Sequence, residues 1–226
     1  MFSTSTIAVF AIRDDLSLAP EPVELAQLRD ALGVGPEADS NAHSVVLSND
    51  NRHAFVSDLG QACVAVYRFD TSSGALTPLS VVSSGADTAR ARHVVCHPTD
   101  ESLVFGLNQG TRGLDAGSVS TYRFDPASGR LRLTERVSTL PPGDDPAGQP
   151  DWVGGSAICI SADGRFLYCS NRGAKGVASA GSDSVAAFEI EDSGSLTPLA
   201  FTPTLGACPR DMTIDPSGSL LLVANQ

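Results

Sequence analysis

An internal repeat constrains the fold of this chain more than any other feature. Segments that begin at Tyr67, Tyr122 and Phe188 read YRFDTSSGALTPLS, YRFDPASGRLRLTE and FEIEDSGSLTPLA, and a weaker copy, FAIRDDLSLAP, begins at Phe10. Tyr67 and Tyr122 are 55 residues apart. A period of this length indicates one supersecondary unit that is copied along the chain.

A second recurring pattern precedes the repeated segments. It reads VVLSNDNRHAFVSDL, VVCHPTDESLVFGLNQ, ICISADGRFLYCSNR and MTIDPSGSLLLVANQ in its four copies. Each copy has an alternating apolar stretch, a short turn rich in Asp, Asn, Gly and Ser, and a second apolar stretch, which is the pattern of a β-hairpin. Hairpin and repeated segment together make four antiparallel strands, the blade of a β-propeller. We therefore predict an all-β fold, one β-propeller domain over residues 1–226 with about four four-stranded blades.

Three insertions interrupt the repeat. Residues 13–40 form the first, and EPVELAQLRDALG at 21–33 has leucines at helical spacing, so we predict a helix there. Residues 140–154 and 173–183 are the two other predicted long loops. A propeller closes by joining its first and last blades, and about four such blades leave strand edges open. We therefore expect a partial, unclosed propeller that belongs to a longer protein.

Charge and composition exclude several classes of function. The net charge is -11, whereas nucleic-acid binding favours a basic patch. Any anionic ligand must therefore be held by locally placed arginines. The apolar runs are far shorter than the roughly 20 residues that span a membrane, so we expect no membrane partner. The five cysteines follow no ligand spacing, which favours reduced thiols in the cytoplasm, with no metal and no cofactor.

Aligning the hairpins places polar residues at one mouth of the propeller. The start of the first strand carries His43, Arg92, Ser156 and Arg210 in successive units. The end of the second strand carries Asp58, Asn108, Asn171 and Asn225, and the next position carries Leu59, Gln109, Arg172 and Gln226. Antiparallel pairing brings these two sets together.

Each of these residues also has a structural interpretation. Asp and Asn at strand ends often bind turn backbone groups, a lone histidine is more often structural, and arginines can pair with carboxylates on a rim. Strand alternation predicts that His93 points away from Arg92. One histidine and three arginines at one mouth of an acidic protein nevertheless favour a site for a small anionic substrate.

Four stretches carry a resemblance to a known family. AHSVVLS, ARHVVCHP, SADGRFLYCSNRG and CPRDMTIDPSGSLLLVANQ occur in order from about residue 42 to the end. In them the chain resembles the lactonase family of seven-bladed propellers, which includes 6-phosphogluconolactonases and carboxy-cis,cis-muconate lactonizing enzymes. The resemblance implies about four of seven blades. It also implies a site of one histidine, two arginines and one glutamate, which match His43, Arg92 and Arg172, while the glutamate position reads Asn108-Gln109.

These assignments lead to an expected mechanism. Lactone hydrolysis needs a base that deprotonates water, hydrogen-bond donors that stabilise the oxyanion and a cationic group that binds the anionic substrate. His43 suits the base, with Asp58 to orient it, and Arg92 and Arg172 suit the oxyanion or a phosphate. Asn108, Gln109 and Arg210 complete the predicted substrate contacts. Which of Asn108 and Gln109 takes the glutamate position stays open. A cycloisomerase that closes a lactone and a non-catalytic propeller scaffold are the alternatives.

Overall fold

The computed structural model describes residues 5–35, 37–111, 114–142, 154–173 and 183–226. Most of the two long loops predicted over 140–154 and 173–183 lies outside the described residues. The described elements, in chain order, are β1 (Thr6–Val9), β2 (Glu24–Gln27), α1 (Leu28–Leu32), β3 (Ala42–Leu47), β4 (His53–Asp58), β5 (Cys63–Phe69), β6 (Leu76–Ser83), β7 (Ala91–Cys96), β8 (Leu103–Asn108), β9 (Ser118–Asp125), β10 (Arg130–Ser138), β11 (Gly154–Ile160), β12 (Phe166–Arg172), β13 (Ser184–Ile190), β14 (Leu196–Pro203), β15 (Pro209–Ile214) and β16 (Leu221–Asn225).

The strands form propeller blades, as the repeat predicts. β3–β6, β7–β10 and β11–β14 are three four-stranded antiparallel sheets, each in chain order, and we call them the first, second and third blade. β1 with β2 and β15 with β16 form two-stranded sheets on either side. The inner strands β3, β7, β11 and β15 pack side by side. Within the described residues the sheets do not close into a ring, and the all-β propeller architecture is confirmed.

The repeated aromatic residue explains why each unit folds as a blade. Tyr67, Tyr122 and Phe188 occupy the same place on the third strand of the three blades, and each side chain is buried. Tyr122 packs between the first and second blades, and Phe188 packs between the second and third. Burial of a side chain of this size contributes about 1.5–3 kcal/mol, so the repeat preserves the contacts that join neighbouring blades.

The predicted helix over residues 21–33 is largely wrong. Its first half is strand β2, which pairs with β1 in the register Thr6 to Gln27. Only α1 is helical, and it ends where Gly33 adopts a left-handed φ of 66°. Helical spacing placed Leu25 and Leu28 on one face, but Leu25 is exposed and Leu28 is buried in the cluster around Tyr67. Pairing with β1 therefore overrides the local helical pattern.

The part of the chain that the structure describes contains no helix that could cross a membrane. α1 has five residues, and no other described segment forms a helix long and apolar enough to span a bilayer.

Candidate active site

The four aligned positions at the strand starts share one structural feature, a β-bulge. The ladder register shifts between Ala42 and Ser44, between Ala91 and His93, between Gly155 and Ile158, and between Pro209 and Asp211. The residues within these shifts include His43, Arg92, Ser156 and Arg210. A bulge leaves an extra residue outside the ladder and re-aims its side chain. The inner strands therefore present all four predicted positions at equivalent places.

Arg92 is the buried centre of this group. Its side chain is 3% exposed, and its Nη1 donates a hydrogen bond to the backbone carbonyl of Ser156 on the next inner strand. Its Nε has no hydrogen-bond partner among the described residues. Burial, together with the charges of Arg210 and Arg172, lowers the pKa of Arg92 to about 9, which leaves it protonated at neutral pH. The guanidinium is a buried cation suited to binding an anion.

His43 is subject to the charges of the same three arginines. Burial and then repulsion from Arg92, Arg210 and Arg172 lower its pKa to about 4, so its imidazole is neutral at pH 7. Its Nδ1 is buried without a hydrogen-bond partner in the described part of the chain. Its ring centroid is 5.4 Å from that of His93. A neutral imidazole beside arginines can accept a proton once a bound anion offsets their charge.

The predicted pairing of Asp58 with His43 does not occur in the described structure. The side chain of Asp58 is fully buried, and its Oδ1 accepts hydrogen bonds from the backbone N–H groups of Asn41 and Gln61, both at 2.9 Å. Its Oδ2 accepts from the hydroxyl of Ser40 at 2.5 Å. Asp58 lies opposite Ala42 in the ladder because the bulge turns His43 aside. The carboxylate therefore anchors the residues that precede β3, and it has no exposed surface of its own that a substrate could contact.

The structure also separates the roles of Asn108 and Gln109. Asn108 is fully buried, and its Nδ2 donates to the hydroxyls of Ser118 at 3.1 Å and Ser120 at 2.8 Å. Gln109 instead accepts a hydrogen bond at its Oε1 from Arg172 Nη2 at 2.8 Å. Gln109, rather than Asn108, therefore reaches the arginines. Asn108, like Asp58, is a strand-end residue that forms its hydrogen bonds within its own blade.

Arg172 and Arg210 complete the cationic group. Burial, and then the charge of Arg210, lowers the pKa of Arg172. Arg210 is exposed, and its backbone carbonyl accepts a hydrogen bond from the Ser156 hydroxyl at 3.1 Å. The charges of Arg172 and Arg210 both act on Arg92. The three predicted arginines therefore form one electrostatically connected group.

Close backbone packing supports this arrangement. A Cβ atom on Gly155, at the start of β11, would lie 2.5 Å from the carbonyl oxygen of Asn108. Only glycine allows β11 to approach the end of β8 this closely. The approach brings Ser156 within reach of Arg92.

The charged group, rather than the largest cavity, marks the site. A cavity of about 200 Å³ borders His43 and is lined by Ile7, Ala42 and Val56. Two cavities of about 430 Å³ lie beside hairpin turns, one next to Asp163 and one next to Arg52. The Asp163 carboxylate is already bonded within its own turn, to Ser161 and Arg165. Among the described residues no cluster of three or more His, Cys, Asp or Glu is arranged to hold a metal ion.

Comparison with known proteins identifies the fold family. The sequence model of the family described as "Lactonase, 7-bladed beta-propeller" matches residues 1–226. The chain belongs to this family.

Relatives of this chain in sequence and in structure carry names from the same family. A 6-phosphogluconolactonase of Formosa agariphila is 32% identical over 197 residues, which cover 85% of this chain and 50% of the relative. A 6-phosphogluconolactonase of Bacillus subtilis is 29% identical over 227 residues, 100% of this chain and 58% of the relative. A periplasmic gluconolactonase of Pseudomonas aeruginosa superposes with a TM-score of 0.77 at 28% identity, covering 98% of this chain and 56% of that structure. The chain spans about half the length of the curated relatives it matches.

His93 lies beside the candidate site, and strand alternation predicts its direction wrongly. Alternation predicts that it points away from Arg92, but its ring lies beside both His43 and Arg92. The bulge at Arg92 breaks the alternation. A signal was present in the sequence: the residue after the aligned position is also polar in three of four units, namely Ser44, His93 and Asp211. Two polar residues in succession depart from the period-two alternation of a regular strand.

Substitution of Asp58 tests its structural assignment. Asp58→Ala removes three hydrogen bonds to a buried carboxylate, and we expect a loss of about 3 kcal/mol in the free energy of unfolding. Asp58→Asn keeps an Oδ1 acceptor for both N–H groups, so we expect a loss of about 1 kcal/mol. Urea denaturation measures both values. If Asp58 instead oriented His43, the Asn variant would keep its stability and lose activity.

Proposed function

We propose that this lactonase propeller hydrolyses the lactone of an anionic sugar acid, as a 6-phosphogluconolactonase converts 6-phosphogluconolactone to 6-phosphogluconate in the pentose phosphate pathway. The observation that carries the proposal is the grouping of Arg92, Arg172 and Arg210 around a neutral His43 in a protein of net charge -11. Two relatives named 6-phosphogluconolactonase support the same substrate class.

The geometry supports a division of roles among these residues. A phosphate or carboxylate of the substrate binds the arginines. Arg92, the most buried cation of the group, is placed to stabilise the oxyanion that forms when water attacks the lactone carbonyl. His43 removes the proton from that water, and the imidazolium returns it to the ring oxygen as the carbonyl–oxygen bond breaks. The product is an open hydroxy acid.

A cytoplasmic location is part of the proposal. All five cysteines are free, and burial raises the pKa of Cys63 and Cys96 to about 12. Free, protonated thiols suit a reducing compartment, although one structural neighbour is named as periplasmic.

A lactone panel tests the proposed function. We expect the purified protein to hydrolyse 6-phosphogluconolactone with a higher kcat/KM than uncharged gluconolactone, because only the former offers a dianion to the arginines. Acid release, corrected for spontaneous opening, measures both rates. Conversion of a carboxymuconate to its lactone without phosphogluconolactone hydrolysis would establish the cycloisomerase instead. Failure of both this chain and a version completed with the remaining blades to turn over either class would establish the non-catalytic scaffold.

Restoring a carboxylate tests the assignment of Gln109. Glutamate at this position can accept the hydrogen bond from Arg172 and can also receive a proton, so we expect Gln109→Glu to fold normally and to hydrolyse lactone faster. Asn108→Glu is the matched control, because it buries a charge between two serines and is expected to lose about 3 kcal/mol or more of stability. A faster, stable Asn108→Glu variant would reverse the assignment.

A further inference from the structure

His93 has a position and contacts that the proposed mechanism does not use. Ala91 pairs with Asn108 and His93 pairs with Leu107, so Arg92 is the extra residue of the bulge in β7. In a regular strand Arg92 and His93 would face opposite sides of the sheet. The bulge instead brings both side chains to the same side, beside His43 on the neighbouring inner strand.

The contact between His93 and Arg92 has a defined geometry. Arg92 Nη1 lies 3.1 Å from His93 Nε2 and 3.5 Å from His93 Nδ1. A nitrogen at such distances from both ring nitrogens would collide with Cε1 if it lay in the ring plane, so it lies over the face of the imidazole. This arrangement is a cation resting on an aromatic face, and it is attractive when the ring is neutral.

Arg92 needs such a support. Its other described hydrogen bond goes to the backbone carbonyl of Ser156, and its Nε has no partner in the described part of the chain. Burial restricts the stem of this side chain, and a second contact at the guanidinium would fix the plane of its donors for binding a transition state. His93 supplies a second support, and its other neighbour is the His43 ring at 5.4 Å.

We infer that His93 is a positioning residue of the lactone site, whose flat face fixes the Arg92 guanidinium above it and packs against the His43 imidazole. The inference rests on the proposed function. His93 acts through the two residues that it contacts and takes no proton from the substrate. The charged groups that act on the two imidazoles are Arg92 on β7, Arg172 on β12 and Arg210 on β15.

Two substitutions separate positioning by the ring face from chemistry at the ring nitrogens. His93→Ala removes the face, and we expect kcat to fall by about 10- to 100-fold with a smaller change in KM. His93→Phe keeps a flat aromatic face without nitrogens, and we expect kcat within about threefold of the wild type. A Phe variant as impaired as the Ala variant would overturn positioning by the face, as would an Ala variant with wild-type kcat.

A matched control isolates the effect from the general loss of a buried histidine. His53 is also buried, its ring centroid lies 5.0 Å from that of Phe124, and it begins β4 at the turn end of the first hairpin, away from the mouth. We expect His53→Ala to lower thermal stability and to leave kcat unchanged. A fall in kcat in His53→Ala equal to that in His93→Ala would overturn the specific role of His93.

An NMR titration tests the contact independently of activity. The imidazole nitrogens of His43 report its pKa in long-range proton–nitrogen spectra of labelled protein. Removal of the His93 ring admits water beside His43, so we expect the pKa of His43 to rise in His93→Ala and to stay close to the wild-type value in His93→Phe. If the wild-type protein lacks lactonase activity, the proposed function fails and this titration still decides the positioning. An unchanged His43 titration in His93→Ala overturns the inference.

Discussion

Replacement of His43 by glutamine is expected to lower kcat/KM for the phosphorylated lactone by about 10²- to 10⁴-fold, the usual contribution of a general base. Glutamine keeps the approximate size and polarity of the side chain but cannot accept a proton from water. His53→Gln is the control, since it removes a buried imidazole at the other end of the same hairpin. An activity in His43→Gln within threefold of the wild type would remove His43 from the mechanism.

The pH profile of the wild-type protein gives a second signature of His43. The base must be neutral, and its pKa in the free protein is about 4, below the ordinary histidine value. Activity measured as kcat/KM with uncharged gluconolactone, which has no group that titrates in this range, should therefore persist as the pH falls below 6.5 and decline only near about pH 4, because kcat/KM reports the free enzyme and the free substrate. A bound dianion offsets the arginine charges and raises the pKa, so the acid limb of kcat should lie at higher pH. If the acid limbs of kcat/KM and of kcat both lay near pH 6.5, the burial of His43 among cations would be contradicted.

Arg92→Lys is expected to lower kcat/KM by about 10²- to 10³-fold even though the positive charge remains, comparable to the loss of an oxyanion donor. Lysine has no planar guanidinium to reach the Ser156 carbonyl and rest on His93 at the same time. Steady-state kinetics with the phosphorylated lactone measure the effect. Near-wild-type activity in Arg92→Lys would show that only charge is needed.

Arg136→Lys is the matched control for Arg92→Lys. Arg136 is partly buried, and it lies on the outer strand β10, where it pairs with Asp115 and donates to Ser118 at 2.9 Å. We expect a lower melting temperature with an unchanged kcat/KM. A loss of activity in Arg136→Lys as large as that in Arg92→Lys would assign both effects to stability.

The fold was predictable because its determinants recur. The side chains of Tyr67, Tyr122 and Phe188 occupy the same buried place in three blades. Because the pattern occurs several times, one ambiguous copy does not change the predicted fold. The segment over residues 21–33 has no second copy to compare. Its leucine spacing suits a helix, but backbone pairing with β1 decides its structure, and that partner is distant in sequence.

The site was predictable by position and less so by orientation. Alignment of the units placed His43, Arg92 and Arg210 at equivalent strand starts without knowledge of the ladder. Period-two alternation gave the wrong direction for His93, and regular antiparallel pairing gave Asp58 as the wrong partner for His43, because a bulge adds one residue to one strand only. Gln109 and Asn108 are adjacent in sequence, and only the buried serines beside Asn108 distinguish them.

The bulges also determine how such a site can change during evolution. Each of the four positions lies on a different hairpin and outside the regular ladder, so exchange of one side chain leaves the pairing of its own blade intact. A different acid, base or cation can therefore be introduced at one position while the others are retained. The strand ladders can therefore be retained while the side chains at the bulges change. Duplication of a blade adds one structural unit and, with it, one further bulge position where a new functional group can be placed.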